Sequence, residues 1–240
     1  MFFVAVFIVA ILSGATATVV GFGIGSLMTP LLAIEFGTTT AVALVTLPHA
    51  VATAVRCWRL RAHVNSAVLV RFGLLSATGA LAGALIYTRL GPGALTRVLG
   101  GLLLLTAVAQ LTGWTSRWQP RGPVIALFGL LSGFFGGVAG NQGGLRSAAL
   151  TAFGLSPLAF VATATATGLL VDAARTPVYL WHSGPELLTL RAPIIVATIG
   201  VLIGTVVGER ILLGLSPRRF GQTIGGAIGA LGIWMLLRPV

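Results

Sequence analysis

A chain of 240 residues that is 56% hydrophobic, 8% charged and of mean hydropathy +1.02 lies far from the roughly 25% charged composition of soluble domains, which excludes a soluble globular protein. The formal charge of +11 arises from arginine against four acids, with no lysine, and the arginines fall between apolar runs as topology signals do, so nucleic acid is not the expected partner. The single Cys57 excludes an internal disulfide and a cysteine metal site.

The first apolar run, from Phe2 to about Val20, lacks the basic n-region of a signal peptide and is read as part of the mature fold. Gly21-Phe22-Gly23-Ile24-Gly25 interrupts it, and the pattern resumes from Ser26 to Ile34. A second run over about 38–55 leads into Arg56, Arg59, Arg61, His63 and Asn65. The third, about 66–90, carries Gly79, Ala80, Gly83 and Ala84, small enough to let another helix approach closely. After the turn Gly91-Pro92-Gly93, the fourth extends to about Leu111. The stretch from Thr112 to Pro123, with Trp114, Arg117, Trp118 and Arg121, reads as a linker whose tryptophans sit at headgroup level. The second half repeats the order with apolar runs over about 124–153, 157–181, 193–213 and 220–237. Glu35, His63, His182 and Glu186 read as loop residues.

The run over 124–153 is broken in its middle by Gly136, Gly137, Gly140, Gly143 and Gly144. Each glycine costs about 1 kcal/mol relative to alanine in a helix, so irregular backbone is expected there. In a bilayer such a break is tolerated only where it is buried in protein or lines a water-filled cavity, which makes it a candidate binding site. A shift of 119 positions lays the first break on the second, pairing Gly21 with Gly140, Gly25 with Gly144, Thr46 with Thr165 and Arg56 with Arg175. A shift of 121 pairs Gly79 with Gly200, Gly83 with Gly204 and Arg89 with Arg210.

These patterns predict an all-α integral membrane protein of two four-unit repeats, 1–113 and 124–240, joined by the linker 114–123. Each repeat begins with a glycine-broken helix. If every unit crosses the bilayer, the loop arginines divide eight against five; if each broken unit re-enters on its own side, they divide nine against four and the halves are inverted. The second arrangement fits the positive-inside rule better, as does the inverted-repeat plan of many transporters. Phe2 to Val20 would span about 28 Å at ~1.5 Å per residue, so a full crossing stays open as the alternative.

The glycine string Gly21 to Gly25 followed by Pro30, and its recurrence from Gly133 to Gly144, resemble the sulfite exporter TauE/SafE family of bacterial membrane transporters across nearly the whole chain. The resemblance implies a secondary transporter, an exporter, of small sulfur-containing oxyanions such as sulfite or organosulfonates in the plasma membrane. Asn141-Gln142 stands where relatives tend to carry further glycine, and Ala149 where a proline would follow, so the resemblance implies the substrate class and not the particular substrate.

The residues themselves point to anion chemistry. A helix that resumes at Ser26 or Leu145 presents free N–H groups and a positive dipole end to the interior. Gly21, Gly23, Gly25, Gly140, Gly143 and Gly144 would let backbone approach the substrate, while Ser26, Thr29, Asn141 and Gln142 supply donors. Arg146, at a position where the first half has Leu27, is costly at membrane depth and functional by default, with snorkelling or pairing with Asp172 as alternatives. Thr46, His49, Thr53 and Arg56 share one helix face, as do their counterparts Thr165, Gly168, Asp172 and Arg175. Asp172 and Arg175 can pair at i,i+3, and His49 or Asp172 is the expected acceptor of a coupling proton, with purely structural roles as the alternative. No cofactor is expected, and the small anionic substrate, the lipid bilayer and protons are the expected partners. An intramembrane enzyme is disfavoured because His49, His63 and His182 have neither helical pairing nor neighbouring acids. A passive anion channel or an accessory membrane subunit would share the composition.

Overall fold

Backbone polar groups in a hydrocarbon medium have to be satisfied within their own segment, so apolar runs of this length become helices. The computed structural model describes residues 1–113, 121–211 and 217–238, and among these it contains helices and turns but no strand. In chain order they are α1 (Phe2–Val20), α2 (Ile24–Leu60), a 3-10 turn (Arg61–His63), α3 (Ser66–Tyr87), α4 (Pro92–Thr112), α5 (Pro123–Ala139), α6 (Gly143–Thr151), α7 (Pro157–Thr189), α8 (Arg191–Ile211) and α9 (Pro217–Leu237). Stretches in α1, α2, α3, α4, α7 and α8 are long and apolar enough to cross a membrane, and the chain is a multi-pass membrane protein. The tryptophans of the linker and Val240 lie outside the described residues.

Both broken units stop in the same way. α1 ends at Gly21 (φ 85°), whose N–H bonds the Ala17 carbonyl at 3.1 Å, and α5 ends at Gly140 (φ 69°), whose N–H bonds the Gly136 carbonyl at 3.1 Å. A left-handed residue that caps the helix and turns the chain is what glycine supplies most cheaply. The helices resume at Ile24 and Gly143, two residues earlier than expected from the apolar pattern. α2 is interrupted again at Gly37 (φ 77°, ψ 161°), which divides it into arms 24–36 and 38–60. The Phe2 and Phe36 rings meet edge to face at 5.5 Å, so the first arm of α2 returns to the level at which α1 began. In the second broken unit, Ile125 and Phe128 near the start of α5 pack in one cluster with Leu150 of α6 and with Phe153 just beyond its end.

Contacts define the two ends of the bundle. At one, the Thr38 and Thr96 hydroxyls are 2.6 Å apart, Thr40 donates to Glu186 Oε1 at 2.7 Å, and Arg238 Nη1 donates to the Ala33 carbonyl at 3.2 Å. At the other, the Asn65 N–H donates to Thr163 Oγ1 at 3.0 Å and the Phe72 and Phe153 rings meet at 6.5 Å. Two boundaries correct the sequence reading. α2 continues past residue 55 to Leu60, and α7 continues past residue 181 to Thr189 through Pro185, so His182 and Glu186 are helical, as is Glu35 in the first arm of α2, and none of the three lies in a loop.

Helix packing depends on absent side chains. α1 lies on α8, where a Cβ at Gly14 would overlap the Val201 carbonyl and one at Gly204 the Ile11 carbonyl. α3 lies on α5, where a Cβ at Gly79, Gly83 or Gly133 would overlap the carbonyl of Leu130, Phe134 or Ser76 respectively. Without a hydrophobic driving force between helices in lipid, close backbone approach through small residues supplies the packing. Ile8, Leu12, Leu81, Leu85, Ile195 and Ile199 are exposed, whereas many threonines and three arginines are buried, the inverse of a soluble domain.

Candidate functional site

The two breaks meet each other in the interior. A Cβ on Gly25 would overlap the Gly140 carbonyl, and one on Gly143 would overlap the Phe22 side chain. Ser26 Oγ donates to Asn141 Oδ1 at 3.3 Å, and Arg146 Nη2 donates to the Gly21 carbonyl at 3.0 Å, so each break is tied to the other. Gly144 instead faces α4, where a Cβ would lie 2.6 Å from Thr106 Oγ1. The room beside Gly25 and Gly144 is thus taken by protein atoms. These glycines bring the two broken helices and α4 together.

Alongside the junction, the long arm of α2 and helix α7 face one another with their polar stripes. His49 Nδ1 is 2.6 Å from Asp172 Oδ2, and Thr53 Oγ1 lies 3.3 Å from the same ring nitrogen. Asp172 Oδ1 accepts from Arg175 Nε at 3.1 Å and Nη2 at 2.8 Å, while Arg175 Nη1 donates to the Gly136 carbonyl at 2.7 Å. Arg56 Nε donates to Thr165 Oγ1 at 3.0 Å. At Gly168, the counterpart of His49, a Cβ would sit 2.8 Å from Arg146 Nη1. The absent side chain leaves room for that guanidinium. Thr46 is buried, but its hydroxyl donates back to the Val42 carbonyl of its own helix at 3.0 Å.

Burial is nearly complete: Arg56 and Arg146 are 3% exposed, Asp172 and Arg175 1%. Several donors here have no partner, namely Arg56 Nη1, Arg146 Nε and Nη1, Asn141 Nδ2, Gln142 Nε2 and the hydroxyls of Thr29 and Thr167. Gln142 Oε1 is also unsatisfied. Buried polar groups are normally hydrogen-bonded, so such a concentration of unmatched donors marks a place where an acceptor belongs.

Sequence reasoning did not single out Thr167 or Tyr179. The Tyr179 hydroxyl donates to the Gly137 carbonyl beside the second break, and its ring packs against Tyr87 at a tilt of 56° with centroids 4.6 Å apart. Tyr87 in turn donates to the Thr39 carbonyl at 2.9 Å, so the tyrosine pair runs from Arg175 towards the Gly37 end of the bundle. The i,i+4 spacing from Arg175 was the available signal for Tyr179. A separate open cleft of about 310 Å3 lies at that end, lined by Glu35, Gly37, Thr38, Thr96 and Arg238 among others, and includes no residue of either break.

Interrupted helices, buried cations and a donor-rich centre lie together inside a multi-pass membrane bundle. The family described as sulfite exporter TauE/SafE matches residues 6–235, nearly the whole chain. The chain belongs to the sulfite exporter TauE/SafE family, a family of membrane transporters. Comparison with curated proteins and with solved structures returns no match.

Proposed function

We propose that this chain is a secondary transporter that carries a small sulfur-containing oxyanion, such as sulfite or an organosulfonate, out of the cell across the plasma membrane. The anion binds where the two broken helices meet. The observation that carries this reading is the set of unpartnered donors on Arg56, Arg146, Asn141 and Gln142 around that junction. An unmade hydrogen bond at a buried donor costs about 1–3 kcal/mol, and more at a charged one, so an oxyanion that accepts from several of them is strongly favoured there. The starts of α2 and α6 add free N–H groups and positive dipole ends at the same junction.

Isothermal titration and thermal unfolding of the purified protein test this. At a ligand concentration of about 100 times Kd, binding adds about 2.7 kcal/mol of stability. Sulfite, thiosulfate or a sulfonate is expected to raise the unfolding temperature, and simple carboxylates are not. Failure of every sulfur oxyanion to bind removes the proposal.

The halves 1–113 and 124–240 are read as inverted repeats that rock about the fixed site to give alternating access. Supporting this, α1 packs on α8 as α5 packs on α3, through glycines at corresponding positions of the two halves. The end that carries Arg59, Arg61, Arg71 and Arg121 is assigned to the cytoplasm. On a Cys57→Ala background, a cysteine introduced at His63 is expected to react with an impermeant thiol reagent only after permeabilisation. One at Thr189 is expected to react in intact cells. The reverse pattern, or labelling of both sites from outside, overturns the orientation.

Proton coupling is assigned to the His49–Asp172 pair, which joins the long arm of α2 to α7 at 2.6 Å. A proton taken up there changes the charge beside the anion and links the two fluxes.

A further inference from the structure

We propose that the central site selects a divalent anion over a monovalent one of the same size and shape, and that Arg146 sets this preference. The inference rests on the anion-site reading above and extends it to the charge of the substrate.

Three guanidinium groups, on Arg56, Arg146 and Arg175, are buried in the cluster, and Asp172 is the one buried carboxylate among the described residues. That carboxylate is engaged by Arg175 through two hydrogen bonds. Arg56 and Arg146 are left with neutral oxygens only: Arg56 donates to the Thr165 hydroxyl and Arg146 to the Gly21 carbonyl, and both keep unpartnered N–H atoms. The site therefore holds an excess of two positive charges with His49 neutral. Charges taken out of water carry a penalty of several kcal/mol each unless they are paired. A monovalent anion would leave one guanidinium uncompensated, whereas a divalent one balances both. Within the sulfur oxyanions, this favours sulfite, thiosulfate or sulfate over a simple alkylsulfonate, and admits a sulfonate that carries a second acidic group.

Arg146 is the residue that makes the excess two instead of one. Arg56 and Arg175 occupy corresponding positions of the two halves, but the counterpart of Arg146 is Leu27. Space for the extra guanidinium comes from Gly168, which stands where the first half has His49. Both departures fall on the same few ångströms of the second half.

Isothermal titration of the full chain in detergent, at one pH and one ionic strength, compares sulfate with methanesulfonate, two tetrahedral anions of similar size that differ in charge. Thiosulfate extends the divalent series, as does sulfite when the common pH is alkaline enough for its second proton to be lost. Sulfate and sulfite are expected to bind at least about tenfold more tightly than methanesulfonate, since losing one member of a buried charge pair costs well over the ~1.4 kcal/mol that a factor of ten represents. In Arg146→Leu, divalent affinity falls by more than about tenfold and the preference for sulfate over methanesulfonate disappears. Equal affinities for sulfate and methanesulfonate in the unaltered protein overturn the proposal, as does an Arg146→Leu protein that keeps the full preference. If Arg146→Leu does not fold, the comparison in the unaltered protein still decides the charge selectivity, and Arg146→Gln repeats the test of the residue. Binding of methanesulfonate alone leaves the oxyanion site standing and removes the charge selectivity. Binding of no anion at all removes both.

Discussion

Asp172→Asn is expected to destabilise the protein by about 3–5 kcal/mol, the cost of removing one partner from a buried ion pair. Its carboxylate is 1% exposed, accepts two hydrogen bonds from Arg175 and contacts His49, so the amide leaves a third buried guanidinium without a counter-charge. Arg175 keeps its bond to the Gly136 carbonyl, but a neutral oxygen does not replace the charge. Adding Arg175→Gln removes the stranded cation, and the double variant is expected to recover a large part of the lost stability. Thermal unfolding of both single variants and the double variant reads this as a coupling. An Asp172→Asn protein as stable as the parent would show that the pair does not stabilise the fold. His49→Gln separates stability from proton coupling, because it leaves Asp172 and Arg175 joined. That variant is expected to unfold near the parent temperature while its flux no longer responds to a pH gradient. A flux that still follows the gradient would remove His49 from the coupling step.

Gly25→Ala is expected to reduce transport to background. The added Cβ would overlap the carbonyl oxygen of Gly140, which is itself held in a left-handed conformation at the end of α5. Neither backbone can yield without moving a whole helix end. Separation of the two breaks would pull apart the contacts from Ser26 to Asn141 and from Arg146 to Gly21, and with them the donors around the junction. Overpacking of this kind costs about 1–3 kcal/mol in stability, so the protein is expected to insert and fold while losing its flux. Gly101→Ala is the matched control: it lies in α4 with no atom within 4 Å of its Cβ position and is expected to transport as the parent does. Parent-level flux in Gly25→Ala would show that close apposition of the breaks is not required.

Much of the candidate site was legible in the sequence because its signals are local. The glycine strings around Gly21 and Gly140 mark helix ends, and the helical period places Thr46, His49, Thr53 and Arg56 on one face without reference to any other part of the chain. Arg146 stood out for the same reason, as a charge among apolar neighbours. Local signals also misled. Trp181-His182-Ser183-Gly184-Pro185 has the composition of a loop, yet α7 runs through it to Thr189. Proline and glycine inside a membrane helix are tolerated where neighbouring groups satisfy the freed backbone, which composition does not reveal.

The sequence by itself determined that this is a membrane protein, where its helices break and which polar residues lie on inward faces. Only the tertiary structure decided what those residues meet. His49 reaches Asp172 across 123 positions, Arg56 reaches Thr165 across 109 and Arg146 reaches the Gly21 carbonyl across 125. Asp172 can satisfy Arg175 by i,i+3 spacing alone, but whether Arg56 and Arg146 also find a carboxylate depends on how α2, α6 and α7 are packed together. Gly25, Gly144 and Gly168 make room in that packing for the Gly140 carbonyl, for Thr106 of α4 and for the Arg146 guanidinium. The unmatched donors at the centre therefore arise from the packing: helical spacing places each side chain on its own face, and close approach of distant helices fixes which partners come within hydrogen-bonding distance and which groups are left without one.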